Sequence, residues 1–258
     1  MSKLKPYIES IGQGTDLVLL HGWGLHSGIW ELLADDLSSD FRLHLIDLPG
    51  FGRSPIPNDD YNLQLLTDQV LSVAPEKAHY LGWSLGGVIA SQIAIQQPDQ
   101  VDKLITVASN PKFVEADDWN SAMKANIMDS FCKFLEEDYQ GTIIRFLAIQ
   151  AIGSETQKED IKRLRDTVFI HGMPATKALR GGLAMLNDID LRGQLHKIQA
   201  PMLRLYGRLD SLVPNKTAEQ VAQLIPHSQH KIYPKASHAP FLSHKEEFVQ
   251  DIKQFLSE

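Results

Sequence analysis

Three features are scarce in this sequence: cysteine, basic charge and long apolar runs. Cys132 is the single cysteine among 258 residues, so we expect no internal disulfide and no cysteine-ligated metal centre. The net charge is −7 at pH 7, whereas nucleic acids and anionic membranes bind proteins with a concentrated basic surface. We therefore expect neither a nucleic-acid partner nor a membrane partner, and no residue pattern calls for a metal or another cofactor.

The apolar stretches are short. Residues 17–20 form the longest apolar run near the N-terminus, and this run is far shorter than the apolar segment of a signal peptide or of a membrane-spanning helix. No internal repeat or low-complexity tract is visible. We therefore expect a cytoplasmic protein that acts as a monomer.

The apolar content is sufficient for one large core, since 43% of the residues are hydrophobic. Continuous apolar runs predict buried strands at 16–20, 41–46, 78–81, 101–108, 201–207 and 229–233. Helical periodicity predicts helices at 29–37, 63–73, 85–97, 214–225 and 245–256. This alternation predicts an α/β fold with a doubly wound, mostly parallel sheet, whose functional site lies at the carboxyl ends of the strands.

The alternation stops between residues 111 and 187. That stretch has helical periodicity almost throughout and no convincing strand. We interpret it as an inserted all-helical lid over the end of the sheet, where such segments enclose a site. The predicted division is a core formed by residues 1–110 and 188–258 and a lid formed by residues 111–187.

A short glycine-bounded motif, Gly82-Trp83-Ser84-Leu85-Gly86, lies between a predicted strand and a predicted helix. A strand-to-helix turn this tight leaves no room for side chains two positions before and two positions after its central residue, and glycine stands at both. Ser84 is thereby turned outward, next to the unpaired backbone N–H groups that begin the helix. The motif predicts a nucleophilic serine beside a site for an anion.

Two further residues complete a catalytic pattern with this serine. A serine hydroxyl becomes a good nucleophile when a histidine takes its proton and a carboxylate orients that histidine. Asp210 and His238 each follow a late predicted strand, and the chain order Ser84, Asp210, His238 is the order found in α/β-hydrolases. The alternatives are that Asp210 only forms a turn and that His238 is an ordinary surface or core histidine.

A second loop, His21-Gly22-Trp23-Gly24, follows an early predicted strand. Acyl transfer needs two backbone N–H donors for the oxyanion that develops, and Trp23 and Leu85 are placed to supply them. The alternative for this loop is a plain turn at a strand end. We interpret His21 as structural and Asp47 as a carboxylate that caps its own loop.

These motifs, together with residues 47–54, Gly207-Arg208-Leu209-Asp210 and His238-Ala239-Pro240-Phe241, resemble the α/β-hydrolase superfamily over nearly the whole chain. More closely, the chain resembles the methyl ester esterases of biotin synthesis, through the Gly-Trp-Gly loop, the tryptophan before Ser84 and the stretch 146–150. The resemblance implies hydrolysis of the methyl ester of pimeloyl-[acyl-carrier protein] through an acyl-enzyme on Ser84. It also implies substrate contacts by Trp23, Ser84, Leu85, Phe146, Leu147, Ala148, Ile149, Gln150 and His238.

Other interpretations stay open at this point. The stretch 146–150 also fits an ordinary amphipathic helix packed on the sheet. A general short-chain carboxylesterase, a thioesterase or a carbon–carbon bond hydrolase of the same fold needs the same activated serine and oxyanion site. A non-catalytic member that only binds a ligand in the pocket is a further alternative.

A basic stripe in the predicted lid suggests how an acyl carrier binds. On a helix that advances about 100° per residue, Lys158, Lys162 and Arg165 fall within one sector of about 60°, and Arg145 extends the stripe towards Phe146. The resemblance implies a strongly acidic carrier, which a chain of net charge −7 would otherwise repel. The alternative is a solvated helix face with pairs of opposite charge one turn apart.

Overall fold

Strands and helices alternate along most of the chain in the computed structural model, which describes residues 4–258. Residues 1–3, which the predicted core segment 1–110 includes, lie outside the described residues. The strands are β1 (Ile8–Ile11), β2 (Thr15–Leu20), β3 (Phe41–Ile46), β4 (Ala78–Trp83), β5 (Val101–Val107), β6 (Met202–Gly207) and β7 (Gln229–Tyr233). The helices are α1 (Glu31–Leu37), α2 (Leu63–Leu71), α3 (Leu85–Gln96), α4 (Ala125–Glu137), α5 (Tyr139–Ala151), α6 (Gln157–Val168), α7 (Thr176–Asp188), α8 (Thr217–Leu224), α9 (Pro240–Ser243) and α10 (Lys245–Ser257).

Within residues 4–258 the strands form one sheet of seven, in the order β1-β3-β2-β4-β5-β6-β7. Every neighbouring pair is parallel except β1 with β3. All residues of β4 and β6 are buried, as continuous apolar runs require when helices cover both faces of a parallel sheet. The predicted mostly parallel sheet is therefore confirmed.

The strand order reverses direction next to β4, which makes the sheet doubly wound. The chain moves one way from β2 to β3 and then crosses back over β2 to β4 before continuing outward to β7. Since such crossovers are right-handed, the connecting helices fall on opposite faces. The packing agrees, because α1 contacts α10 and α2 contacts α3. The reversal places the carboxyl end of β4 at the crevice where sites form in this class of fold.

The sequence patterns missed β1. This strand has the half-buried pattern of an edge, with Ile8 and Ile11 partly covered and the two polar residues between them exposed. Four residues with one apolar residue at each end give neither the period of two nor a continuous apolar run. The pairing of β1 with β3 is thus visible only in the folded chain.

Between β5 and β6 the chain forms α4, α5, α6 and α7. Two isolated bridges, Val114 with Met123 and Ala116 with Trp119, precede α4. The helices bury their apolar faces against one another, and side chains of α4, α5 and α7 reach the carboxyl end of the sheet. The boundary between core and lid at residues 111 and 187 stays a prediction. Among residues 4–258, no helix combines the length and the apolar character needed to cross a bilayer.

Candidate active site

Ser84 occupies a strained position between β4 and α3. Its backbone has φ 55° and ψ −117°, a region that side-chain-bearing residues rarely adopt and that marks functional sites. A Cβ at Gly82 would clash with the carbonyl oxygen of Gly86, and a Cβ at Gly86 would clash with the carbonyl oxygen of Leu20. The glycines therefore allow the close approach of β2, β4 and α3 that the turn requires.

Hydrogen bonds hold this strained residue in place. The Ser84 amide donates to the carbonyl of Val107 at 2.9 Å. Its carbonyl accepts from the amides of Gly87 and Val88 and from the Ser109 hydroxyl at 2.8 Å. The turn is thus fixed from β5 and from α3, so its strain is retained by the surrounding fold.

Ser84 is turned towards the carboxyl end of the sheet but does not lie open to solvent, since only 2% of its surface is exposed. It lines a tightly packed cavity whose free space holds about one water molecule. The other lining residues are Phe113, Met123, Met128, Phe131, Phe146, Leu183, Leu186, Leu212 and His238. Apart from Ser84 and His238 these side chains are apolar, and several come from α4, α5 and α7, so the helices after β5 cover the serine.

His238 and Asp210 form a buried pair in the loops after β7 and β6. The Nδ1 atom of His238 lies 2.7 Å from Oδ2 of Asp210, and both side chains are almost fully buried. The other carboxylate oxygen accepts from the amides of Leu212 and Val213 at 2.8 and 2.9 Å. A carboxylate held this way accepts the Nδ1 proton and leaves Nε2 of His238 as the basic nitrogen.

The Nε2 atom of His238 is buried and has no hydrogen-bond partner within residues 4–258. His238 lines the same cavity as Ser84. The histidine backbone is fixed from two sides, because its amide donates to the Gln150 carbonyl at 2.9 Å and its carbonyl accepts from the Trp83 indole at 2.8 Å. Ser84 and His238 thus line one cavity, and Asp210 is hydrogen-bonded to His238.

The two predicted oxyanion donors lie on either side of the turn. Leu85 is the first residue of α3, so its amide has no acceptor inside the helix. The Trp23 amide has no backbone acceptor within residues 4–258. The Trp23 side chain is held by α7 and α5, since its indole donates to the Leu179 carbonyl at 2.9 Å and its ring packs edge-on against Phe146 at 4.9 Å between ring centres.

His21 and Asp47 support the loop that carries Trp23. The Leu48 amide donates to Nε2 of His21 at 2.8 Å, so the proton is on Nδ1, which lies 2.8 Å from the Gly22 carbonyl oxygen. Burial lowers the pKa of His21 to about 4. Burial would raise the pKa of Asp47, but its hydrogen bonds, that from Arg53 first among them, lower it to about 2. His21 and Asp47 therefore hold their loops in place through hydrogen bonds, as the sequence interpretation states.

The stretch 146–150 lies on α5, but its residues take different positions. Phe146 lines the cavity. Leu147 is fully buried, and Ala148 and Ile149 are half-buried. None of these last three is among the residues that line the cavity, and substrate contact by the stretch 146–150 stays a prediction.

Gln150 ends this stretch beside the histidine loop. Its carbonyl accepts from His238, whereas its buried side-chain amide has no hydrogen-bond partner among residues 4–258.

The four predicted basic residues are exposed. Arg145 lies on α5 over the ring of Phe134 at 5.0 Å, while Lys158, Lys162 and Arg165 lie on α6. Within residues 4–258 none of the four is within 4 Å of a carboxylate, although their neighbour Glu155 pairs with Lys235. The adjoining face of α6 buries Leu164 and Val168, while Ile161, expected to point inward with them, is only half-buried.

Sequence reasoning did not find most of the cavity wall. Met128 and Phe131 lie one turn apart on α4, as do Leu183 and Leu186 on α7. This spacing predicts a buried helix face but does not say what that face covers. Phe113 and Leu212 lie in connecting segments, where no periodicity exists to single them out.

A model of the α/β hydrolase fold matches residues 16–245. The chain belongs to the α/β hydrolase family. Among curated members, this α/β hydrolase is 46% identical to the pimeloyl-[acyl-carrier protein] methyl ester esterase of Aeromonas salmonicida, over 96% of this chain and 98% of that one. It is also 46% identical to the protein of the same name from Pectobacterium atrosepticum, over 96% of this chain and 97% of that one.

Among solved structures, an esterase from Exiguobacterium antarcticum superposes on this α/β hydrolase with a TM-score of 0.89. The match covers 99% of this chain and 96% of the other at 22% sequence identity. At that identity the likeness concerns the fold alone.

Proposed function

We propose that this protein is a serine carboxylesterase that hydrolyses the methyl ester of pimeloyl-[acyl-carrier protein], a step of biotin synthesis. The observation that carries the proposal is the 44–46% identity, over nearly full length, to relatives that bear this name. The site supports it, since Ser84 and His238 line one apolar cavity and Asp210 is hydrogen-bonded to His238.

In the proposed reaction, Nε2 of His238 accepts the proton of the Ser84 hydroxyl while the serine oxygen attacks the ester carbonyl carbon. The amides of Trp23 and Leu85 donate to the oxyanion. The intermediate then breaks its bond to the methoxy group, which leaves as methanol with the proton from His238. Water, deprotonated by the same histidine, attacks the acyl-enzyme, and the pimeloyl carboxylate and the Ser84 hydroxyl are restored.

The chemical character of the cavity wall matches the acyl part of this substrate. The wall is apolar apart from Ser84 and His238, so it suits a short methylene chain. The free space is far too small for a protein domain, so the carrier itself must stay outside.

Replacement of the serine tests the chemistry. We expect Ser84→Ala to lower kcat/KM on the carrier-bound methyl ester by about 10³-fold or more, since only the oxyanion site and binding remain. The release of methanol and of the free carboxylate is measured directly. Ser130→Ala, on an exposed face of α4, is the matched control and should be unchanged. A Ser84→Ala protein that keeps a tenth of the activity would contradict the assignment.

A general short-chain carboxylesterase is the second candidate, and the small enclosed cavity favours it. Growth rescue separates the two candidates. We expect the gene to restore growth without biotin to a strain that lacks its own methyl ester esterase. Hydrolysis of short esters without rescue would support the general esterase instead.

The basic residues of α5 and α6 extend the proposal to the carrier. Arg145, Lys158, Lys162 and Arg165 are exposed and lack carboxylate partners within residues 4–258, on a protein of net charge −7. We propose that they attract the acidic carrier. Long-range attraction of this kind raises association rates by roughly 10- to 10³-fold and weakens with salt.

Charge reversal tests the docking. We expect the triple variant Lys158→Glu, Lys162→Glu and Arg165→Glu to lower kcat/KM on the carrier-bound ester by about 10-fold or more at low salt, with no change on a small free methyl ester. Equal losses on both substrates would show damage to the lid.

The matched control reverses Lys5, Lys197 and Lys216. These lysines are exposed and unpaired in the described part of the chain, and their reversal changes the net charge equally. If this control lost as much activity on the carrier-bound ester as the lid variant, then total charge and not the stripe would govern docking.

A further inference from the structure

A second internal cavity lies behind the Ser84 turn, between α3, β5 and β6. It shares no residue with the cavity of the candidate active site. Its polar wall consists of Ser91, Thr106, Ser109, Asn110, Arg204 and Tyr206. Its free space would hold about one or two water molecules.

Arg204 brings a buried positive charge to this cavity. Only 1% of its surface is exposed. Its Nε donates to the Ser228 hydroxyl at 3.0 Å, and its Nη1 donates to the Ala218 carbonyl at 2.8 Å and to the Tyr206 hydroxyl at 3.2 Å. Its Nη2 has no hydrogen-bond partner within residues 4–258.

No carboxylate in the described chain lies within 4 Å of the Arg204 guanidinium. The acceptors it reaches are a carbonyl and two hydroxyls, which are all neutral. A buried charge is costly unless an opposite charge or an ion compensates it. His230, which pairs with Arg204 across β6 and β7, experiences this charge, since burial and then Arg204 lower the pKa of the histidine.

One further donor in the polar wall suits a negative ligand. The Tyr206 hydroxyl accepts from Arg204, which leaves its own O–H to donate. The Ser91 and Ser109 hydroxyls donate to the carbonyls of Gly87 and Ser84 and are therefore not free to donate to a ligand. Within the described residues the cavity wall contains no carboxylate, so Arg204 and Tyr206 line a space without an anionic group.

We propose that this cavity binds a small halide ion, chloride under physiological conditions, held by Nη2 of Arg204. The available space excludes phosphate and carboxylate ligands, and a monatomic anion is the smallest species that compensates the charge. Because Ser109 lies in the same wall and donates to the Ser84 carbonyl, the ion stabilises the support of the strained turn from behind. This inference does not depend on the proposed esterase function.

Bromide is the direct probe. Crystals of the unaltered protein grown or soaked in sodium bromide should show an anomalous bromine peak beside Nη2 of Arg204. A cavity that contains water without an anomalous signal, in crystals where bromide is seen at surface positions, would overturn the proposal.

Thermal unfolding tests the same site in solution. We expect Tm to rise saturably, by at least about 2 °C, in sodium chloride relative to sodium gluconate of equal ionic strength, because gluconate is too large for the cavity. Equal Tm values in the two salts would contradict the proposal.

Two variants connect this Tm difference to the site. Arg204→Met should abolish the difference, whereas Arg163→Met, which removes an exposed charge on α6, should retain it. If Arg204→Met does not fold, the bromide experiment on the unaltered protein decides.

Discussion

At the scale of single residues, the structure shows how one strained serine is tolerated. Ser84 has a positive φ, a conformation that costs roughly 1–3 kcal/mol and persists only when its surroundings enforce it. Here the surroundings are the carbonyl of Val107, the hydroxyl of Ser109 and two glycines that let neighbouring backbones touch. Mutations at those glycines should therefore affect both stability and activity.

The prediction at this scale concerns Gly82. We expect Gly82→Ala to lower the free energy of unfolding by about 1–3 kcal/mol, because a Cβ there overlaps the backbone of Gly86 and the core must shift. Esterase activity should fall with it, as the turn moves. Gly193→Ala is the control, since a Cβ at that exposed position meets no atom within 4 Å. Denaturant unfolding measures both, and equal stabilities would show that the turn is not tightly packed.

At the scale of elements, one histidine joins α6 to the segment that follows the Trp23 loop. The Nε2 of His26 lies 2.8 Å from the carbonyl oxygen of Thr167, in the last turn of α6. The Nδ1 atom accepts from the Gly28 amide at 3.1 Å, so Nε2 carries the proton and the ring is neutral. Burial, the largest cause, lowers the pKa of His26, which keeps both hydrogen bonds intact near neutral pH.

We predict that His26→Ala releases α6 from this loop. A half-buried carbonyl and a half-buried amide lose their partner, at a cost of about 1 kcal/mol. Amide hydrogen exchange over α6 should speed up, and kcat should fall because Trp23 is less well held. His171→Ala is the matched control, because that exposed ring lies 4.7 Å from His26 between ring centres without sharing either hydrogen bond. Similar exchange in both variants would refute the link.

At the scale of the whole molecule, the free energy of unfolding depends on pH through buried groups that take up a proton less readily than in the unfolded chain. His21 is fully buried, and burial lowers its pKa from 6.5 to about 4. The unfolded chain therefore binds this proton at a higher pH than the folded chain does. The stability that neutral His21 contributes is fully present above pH 6.5 and is lost as the pH falls from 6.5 to about 4.

We predict a loss of up to about 3 kcal/mol from His21 over that pH range, at about 1.4 kcal/mol per pKa unit. His21→Gln retains an acceptor for the Leu48 amide without a titrating group. Its unfolding free energy should depend less on pH, by close to one proton, between pH 6.5 and 4. Urea titrations at several pH values measure this difference, and parallel curves for the two proteins would contradict the prediction.

Much of the fold could be read from the chain. The apolar runs of β2, β4 and β6 and the helical periodicity of α10 each depend on neighbours a few residues away. The edge strand β1 could not be read, because its pairing with β3 and not its own pattern makes it a strand. The 3₁₀ turn that begins at Ser27, before α1, could not be read either, since the side chain of His26 caps it by accepting from the Gly28 amide.

The sequence by itself determined six of the seven strands in the described sheet and the turn at Ser84, because period and steric exclusion act between residues close in the chain. Only the tertiary structure decided that Ser84 is buried, that Phe113, Leu186 and Leu212 share its cavity, and that Arg204 is buried without a carboxylate partner among residues 4–258. Those facts depend on packing between separate segments of the chain, and the residues next to a side chain in the sequence do not determine which residues it packs against.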